Sequence, residues 1–380
     1  MSYLVIFLQV LFLGTHQPKP AVQKPLEKTS IYEINAIFKE ANHQFKLEQV
    51  NDELSKIAKV INGSILFVSD DSVMFQYTGG YKSLTAKKNV TNKITETTLF
   101  DLASVSKQFT AAAILKLVEH DSLSLEDYLI DYFPDLPYNT VKIKHLLTHT
   151  SGLPEYLDFE QFFRTDTIFT NQMLLQYLTC DIPIMTATPG IEFKYTNTNY
   201  ALLASIIEQI TGQSFPDYVR ANLLIPAGMT HTYFYTEIRN NTTFNVSKGH
   251  LIDGEEVPDN ILNSVLGDKS MYSTAEDLYK WYQAYFIDNK IISKRYVHQA
   301  ISPHNQINGV IPSEAYGYGL RIEVNEITGN LVYHGGLWRG FHHVMTYRPK
   351  DRLFLLFLSN YRNRSHNGKT KIILQIMDGA

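Results

Sequence analysis

Apolar residues at Ile34, Ile37, Phe38 and Ala41, then at Leu47, Val50, Leu54 and Ile57, recur at helical spacing and predict a helix within 31–60. Short apolar runs follow. Ile65-Leu66-Phe67-Val68 and Val73-Met74-Phe75-Gln76-Tyr77 flank the polar Ser69-Asp70-Asp71-Ser72 and predict a β-hairpin. Helical patterning returns at 109–118, a mostly apolar, alanine-rich stretch that predicts a helix buried on most sides. From there to about residue 300 the chain reads as helices between polar or Pro/Gly loops. One is 201–210, closed by Thr211-Gly212, and Leu125-Glu126-Asp127 opens a further helical turn. Short apolar runs at 318–324, 330–334, 341–347 and 353–359, separated by turns such as Thr328-Gly329 and Pro349-Lys350-Asp351, predict strands. A last helix is expected at 369–377. Strands at both ends with helices between imply an α+β fold: one antiparallel sheet built from the two chain ends, with a mainly helical lobe inserted.

The 380 residues could form one large domain or two modest ones, and the 44% apolar fraction allows a real core. A net charge of −4 without a basic stripe excludes nucleic acid as an expected partner. Cys180 is the only cysteine, so there is no internal disulfide and no cysteine metal cage. The apolar run 4–13, broken only by Gln9, resembles the core of a signal peptide and is short for a bilayer span. It lacks a preceding Lys or Arg and an evident cleavage site. Residues 1–22 are therefore expected to be a signal peptide or apolar anchor and linker, the protein to be exported, and membrane contact to be confined to this segment. Residues 17–30 read as linker.

Three short motifs carry chemistry. In Ser104-Val105-Ser106-Lys107 the serine falls at a helix start with the lysine one turn on. A helix N-terminus offers unpaired N–H groups, and a lysine against an apolar helix can lose its proton and act as base for the hydroxyl. By itself Ser-x-x-Lys arises about once by chance in a chain this long, and serine is also a common N-cap. Tyr195-Thr196-Asn197 lies in the expected loop before the helix at 201. A tyrosine beside a cation can ionise below its usual pKa of about 10 and relay protons, and the amide of Asn197 suits a substrate amide or the lysine. Tyr-x-Asn recurs at 361–363, and Asn and Thr are routine caps. In His334-Gly335-Gly336-Leu337 the glycines admit a substrate backbone to a strand edge, and His334 offers charge or a hydrogen bond to a substrate carboxylate or Tyr195. A structural histidine before a turn is the bland alternative.

The order Ser-x-x-Lys, Tyr-x-Asn, His-Gly-Gly, on helix, loop and strand, resembles the serine β-lactamase and penicillin-binding protein superfamily. The resemblance is to its class C-like branch of β-lactamases, D-alanyl-D-alanine carboxypeptidases, D-aminopeptidases and esterases. It runs from Leu47 onward and includes the stretch from Leu99 to Thr110, His145-Leu146-Leu147-Thr148-His149-Thr150-Ser151-Gly152-Leu153, Pro189-Gly190, Pro226-Ala227-Gly228-Met229 and Tyr316-Gly317-Tyr318-Gly319-Leu320. It implies a β-lactamase-like catalytic domain over 31–380, with a sheet lobe from 47–100 plus 305–380 and a helical lobe from 101–304.

The resemblance further implies a serine hydrolase working through an acyl-enzyme on amide or ester bonds, with no metal or cofactor and a small-molecule or peptide substrate. Ser104 would be the nucleophile, Lys107 and Tyr195 would share the acid and base roles, and the N–H groups of Ser104 and Leu337 would hold the oxyanion. Asn197, His334, Gly335 and Gly336 would complete the substrate site. Two features depart from the pattern. Class C β-lactamases have lysine at the position of His334 and threonine or serine at that of Gly335, which turns the expectation toward peptidases and esterases and gives activity a sensitivity near pH 6–7. Gly267-Asp268-Lys269-Ser270 stands where relatives often have a glycine pair. Competing signals are weak: His145 and His149 have zinc-pair spacing, but no Glu lies between them as in His-Glu-x-x-His, and the resemblance makes their helix a structural support. There is no Gly-x-Ser-x-Gly elbow and no glycine-rich phosphate loop.

Overall fold

The computed structural model describes residues 31–162, 168–180, 184–307, 314–362 and 366–379. The expected signal peptide or anchor at 1–22 lies outside the described residues. A first unit ends at Phe45, and the second, Lys46–Ala380, holds the sheet and the site. The helix Ile31–Ala58 matches the predicted span within two residues. Among the described residues no helix is long and apolar enough to cross a membrane.

Among the described residues eleven strands follow: β1 Gly63–Ser69, β2 Ser72–Gly79, β3 Phe100–Asp101, β4 Tyr233–Phe234, β5 Met271–Ser273, β6 Asn305–Gln306, β7 Glu314–Tyr316, β8 Arg321–Glu323, β9 Leu331–Trp338, β10 Phe341–Arg348 and β11 Leu353–Ser359. Eight of them form one sheet in the order β2-β1-β11-β10-β9-β8-β7-β6, and β3-β5-β4 form a small second one. The large sheet joins 63–79 to 305–359 by antiparallel pairing, with β1 beside β11 in the register Ile65↔Phe357 and Leu66↔Leu356. The α+β architecture read from the sequence is thus present.

Both faces of the central strands are covered, which is why β1 and β11 are buried along their whole length. Ile65, Phe67, Leu353, Leu355 and Phe357 pack with Leu47, Val50, Leu54 and Ile57 of the first helix and with Ile373 and Met377 of the last, His366–Asp378. The alternate residues Leu66, Val68, Phe354, Leu356 and Leu358 join the core formed with the helices Lys107–Glu119 and Asn197–Thr211. The Lys107–Glu119 helix, buried from Lys107 through Leu115, runs through that core. Its Phe109 ring lies 4.2 Å from Trp281, whose indole N–H donates to Gln108 at 2.8 Å.

The strand expected at 318–324 is shorter, because Gly319 makes a turn at φ +74° against the same helix. A Cβ at Gly319 would lie 2.8 Å from the Lys107 carbonyl oxygen.

Candidate active site

Ser104 lies in a 3-10 turn, Ala103–Ser106, and the α-helix begins only at Lys107. The sequence placed it at the helix start. The difference arises at Ala103, whose φ of +49° cannot continue backward as α-helix. The Asp101 carboxylate holds that turn by accepting the Ala103 N–H at 2.8 Å. Burial pushes the Asp101 carboxyl up to about 7, against the hydrogen bonds it accepts. The 3-10 turn flows into the helix, so Lys107 still comes one turn after Ser104.

Lys107 is fully buried, and its Nζ has three oxygen neighbours. Ser104 Oγ lies at 3.1 Å, Asn197 Oδ1 at 2.7 Å and the Asp268 main-chain oxygen at 2.8 Å. Burial lowers its pKa to about 8, against the pull of the Asp268 and Glu155 carboxylates and with Arg321 adding to the lowering. The chemistry of the neighbours decides what the neutral amine does. An amide oxygen and a carbonyl oxygen can only accept, so they take its two hydrogens. Its lone pair is left facing the Ser104 hydroxyl.

The identity of the Asn197 acceptor follows from a residue the sequence reading did not single out. Glu155 Oε2 accepts the Asn197 Nδ2–H at 2.9 Å and its main-chain N–H at 2.7 Å. Glu155 thereby satisfies a donor at the N-terminus of the helix Asn197–Thr211, which starts earlier than the expected 201. With Nδ2 committed to Glu155, Oδ1 must point at Lys107. Of the two roles considered for Asn197, the structure shows the one toward the lysine.

Tyr195 is half-buried in front of Lys107, whose Nζ sits 4.9 Å from the ring centroid. The ring lies against His149, tilted by 33° with the centroids 4.2 Å apart, and the Arg321 guanidinium lies 5.7 Å from its centroid. The expectation that Tyr195 ionises easily is corrected. Burial pushes its hydroxyl well above the ordinary value, and a hydrogen bond with Ser104 and the charge of Arg321 only oppose this. The neutral phenol is its resting state.

His334 also departs from expectation. It is 2% exposed, and its Nδ1 lies 2.7 Å from the Gly335 carbonyl oxygen. That oxygen only accepts, so the proton is on Nδ1 and the Tyr316 hydroxyl donates to Nε2 at 3.0 Å. Burial, with Lys107 and Arg321 adding to it, drives the ring down to about 3. The ring is therefore neutral at physiological pH, and both nitrogens are engaged within the protein. A charged carboxylate anchor at His334 and a transition near pH 6–7 both fall away.

The two glycines after it differ. A Cβ on Gly336 would lie 2.4 Å from the Leu102 carbonyl oxygen, whereas one on Gly335 would meet nothing closer than 3.6 Å. Gly336 thus lets β9 lie directly against the Ser104 turn, bringing Leu337 alongside. The Leu337 side chain is exposed. Behind the turn His343, opposite Gly336 in β10, donates from Nε2 to the Asp101 carbonyl at 2.6 Å. His149 is not on a helix with His145. The helix Ile143–Leu147 has ended, and His149 has φ +55°. Its Nδ1 accepts the Thr196 N–H at 3.2 Å, so the residue braces the Tyr195 segment. Among the described residues no group of His, Cys, Asp and Glu could hold a metal ion.

The structure therefore brings Ser104, Lys107, Tyr195, Asn197, His334, Gly336 and Leu337 to one place. It adds Glu155, Tyr316, Arg321 and His149, with Tyr156, Asp268 and Lys269 behind them. The stretch Gly267-Asp268-Lys269-Ser270, standing where relatives often have a glycine pair, is the one sequence signal for the last two. Glu155 had none, since a lone carboxylate after Gly-Leu-Pro reads as surface.

The beta-lactamase family model matches residues 47–377. Penicillin-binding protein 4* of Bacillus subtilis strain 168 is 32% identical over 313 residues, 79% of this chain and 68% of that protein. The octameric penicillin-binding protein homologue from Pyrococcus abyssi superposes with a TM-score of 0.74 at 27% identity, covering 88% of this chain and 77% of that one. The D-amino acid amidase from Ochrobactrum anthropi SV3 shares the fold at TM-score 0.72 and 22% identity, over 89% of this chain and 98% of its own. The match across nearly all of the second unit makes this chain a member of the beta-lactamase family of serine hydrolases.

Proposed function

We propose that the protein is a serine acyl hydrolase of the peptidase or esterase kind, cleaving amide or ester bonds through an acyl-enzyme on Ser104. The observation that carries this reading is the arrangement of Lys107: its Nζ lies 3.1 Å from Ser104 Oγ while two obligate acceptors, Asn197 Oδ1 and the Asp268 carbonyl, take two of its hydrogens, so that on losing the third the amine presents its lone pair to the Ser104 hydroxyl. Lys107 takes the proton as Oγ attacks the carbonyl carbon. The oxyanion forms beside the main-chain N–H groups of Ser104 and Leu337, and loss of one such donor typically costs about 10²–10³ in rate. Tyr195, protonated at rest, gives its proton to the leaving nitrogen or oxygen as that bond breaks, and is recharged from Lys107. Water then attacks the ester by the reverse proton path. General acid–base help of this kind contributes about 10²–10⁴-fold.

The substrate class follows from charge. With His334 neutral, the fixed cation beside the Tyr195 ring is Arg321, itself paired with Glu314 at 2.8 Å. A substrate carboxylate would find its counter-charge there rather than on β9, and the lack of a charged side chain at 334 supports the D-alanyl-D-alanine carboxypeptidase or D-aminopeptidase type, or an esterase, over a β-lactamase. Export through the N-terminal segment belongs to the same proposal.

The test is intact mass against time with a fluorophosphonate probe and, separately, benzylpenicillin. Wild type should gain the probe mass at Ser104, and Ser104→Ala should not react while melting near wild type. Equal reaction by Ser104→Ala, or no reaction of wild type, removes the mechanism. A lasting penicillin adduct would assign a penicillin-binding peptidase, and rapid drug hydrolysis a β-lactamase. Neither would direct the search to esters and small D-amino-acid peptides.

A further inference from the structure

Behind Lys107 lies a second buried lysine. Lys269 is 3% exposed and Asp268 fully buried, and they are neighbours in the segment that crosses the back of the site. Lys269 Nζ lies 3.1 Å from Asp268 Oδ2, which also accepts from the Tyr156 hydroxyl at 3.0 Å, and Nζ contacts that hydroxyl too. The ammonium is flanked by two rings, Tyr156 at 5.0 Å and Trp338 at 5.1 Å from their centroids. Burying an ion pair is expensive, and a pair of apolar residues of similar size usually serves stability as well or better. Stability alone is thus a poor reason for this lysine.

Its neighbours are informative. The main-chain oxygen of Asp268 is one of the two acceptors that orient Lys107. Tyr156 directly follows Glu155, which sets the other acceptor through Asn197. Trp338 directly follows Leu337 on β9, and its indole N–H donates to Asn263 at 2.8 Å. The segment itself is pinned at Gly267, whose carbonyl accepts from Thr110 of the buried helix at 2.7 Å. A Cβ at Gly267 would sit 2.3 Å from the Tyr200 carbonyl oxygen, so this segment cannot back away.

We infer that Lys269 is a positioning residue for the reaction at Ser104: paired with Asp268 between Tyr156 and Trp338, it ties together the three segments around Lys107 and offsets the Asp268 charge that Lys107 would otherwise face. This rests on the proposed acylation of Ser104. Lys107 is faced by Asp268 and Glu155, which favour its charged form, and by Arg321, which opposes it, with His149, His334, Tyr195 and Tyr200 completing its surroundings. Lys269 is faced by Asp268 and Glu155, which favour its charge, and by Lys107, which disfavours it, with Tyr156 and Asp101 also close. Burial outweighs both carboxylates and lowers the Lys269 pKa.

The test is the second-order rate of labelling by the fluorophosphonate probe against pH, read by intact mass on the full chain. The wild-type rate should rise through a single ionisation, near 8 if it is Lys107. Lys269→Met should move that limb to higher pH, slowing labelling at pH 7 about three- to ten-fold for a displacement of half to one pH unit, with the rate recovered on the alkaline plateau. Asp268→Asn, which keeps the main-chain acceptor, should move the limb to lower pH. The double variant should return toward wild type. Should one single variant fail to fold, the other decides alone. A limb that stays in place in a folded variant, with only a uniform change in rate, makes Lys269 structural and overturns the inference. If wild type is not labelled at Ser104, the proposed function fails instead.

Discussion

The two faces of the large sheet are built on different principles. The outer face carries Ile65, Phe67, Leu353, Leu355 and Phe357 under the first and last helices, an aliphatic and aromatic layer of period two. The inner face carries an equally buried apolar core, but Lys107, His149, Asp268, Lys269 and His334 are sunk into its edge near the Ser104 turn. On the outer face burial is the whole purpose. On the inner face burial is the instrument: it lowers Lys107 to about 8, raises the Tyr195 hydroxyl and neutralises His334. A cavity of about 490 Å³, lined in part by Val344, Thr346 and Leu374, also lies on the outer side of the sheet, away from the site.

The sharpest break between the faces should come from Phe357→Ala. It removes a fully buried ring of the outer layer and should cost about 3–5 kcal/mol of stability. Chemical unfolding measures that loss, and the labelling rate per folded molecule should stay near wild type. A matching fall in rate would mean that the outer face also shapes the site.

Gly336→Ala tests the inner face. Its methyl group would press on the Leu102 carbonyl and lift β9 from the Ser104 turn, which should slow probe labelling by about 10²–10³, the value of a displaced oxyanion donor. Gly335→Ala, one residue away and open, should label near the wild-type rate. Equal effects at the two positions would show that the close approach of β9 does not matter.

The smallest effect concerns His334. Its folded pKa of about 3 lies below the ordinary 6.5, so between these values the unfolded chain binds a proton that the folded chain refuses. Its contribution to stability is therefore present above about 6.5 and is lost as the pH falls toward 3. Unfolding midpoints should decline across that window, and less so in His334→Gln. Between pH 6 and 7 the labelling profile should show no inflection from the imidazole.

Much of this was legible in the chain itself. Short continuous apolar runs at 65–68 and 353–359, bounded by turn residues, predicted strands, and alanine-rich 109–118 predicted a buried helix, because apolar patterning is carried by the residues of the segment itself. The spacing of Ser104 and Lys107 needed only one helical turn, so their meeting could be read off directly. Tertiary structure decided the rest. The orientation of the Asn197 amide depends on Glu155, 42 positions away, and the second acceptor of Lys107 on the Asp268 carbonyl, 161 away. No local pattern encodes such partners. Ionisation states likewise depend on how far the fold excludes water, so His334 read as a partly charged group in the sequence and proved neutral once Tyr316 and β9 enclosed it.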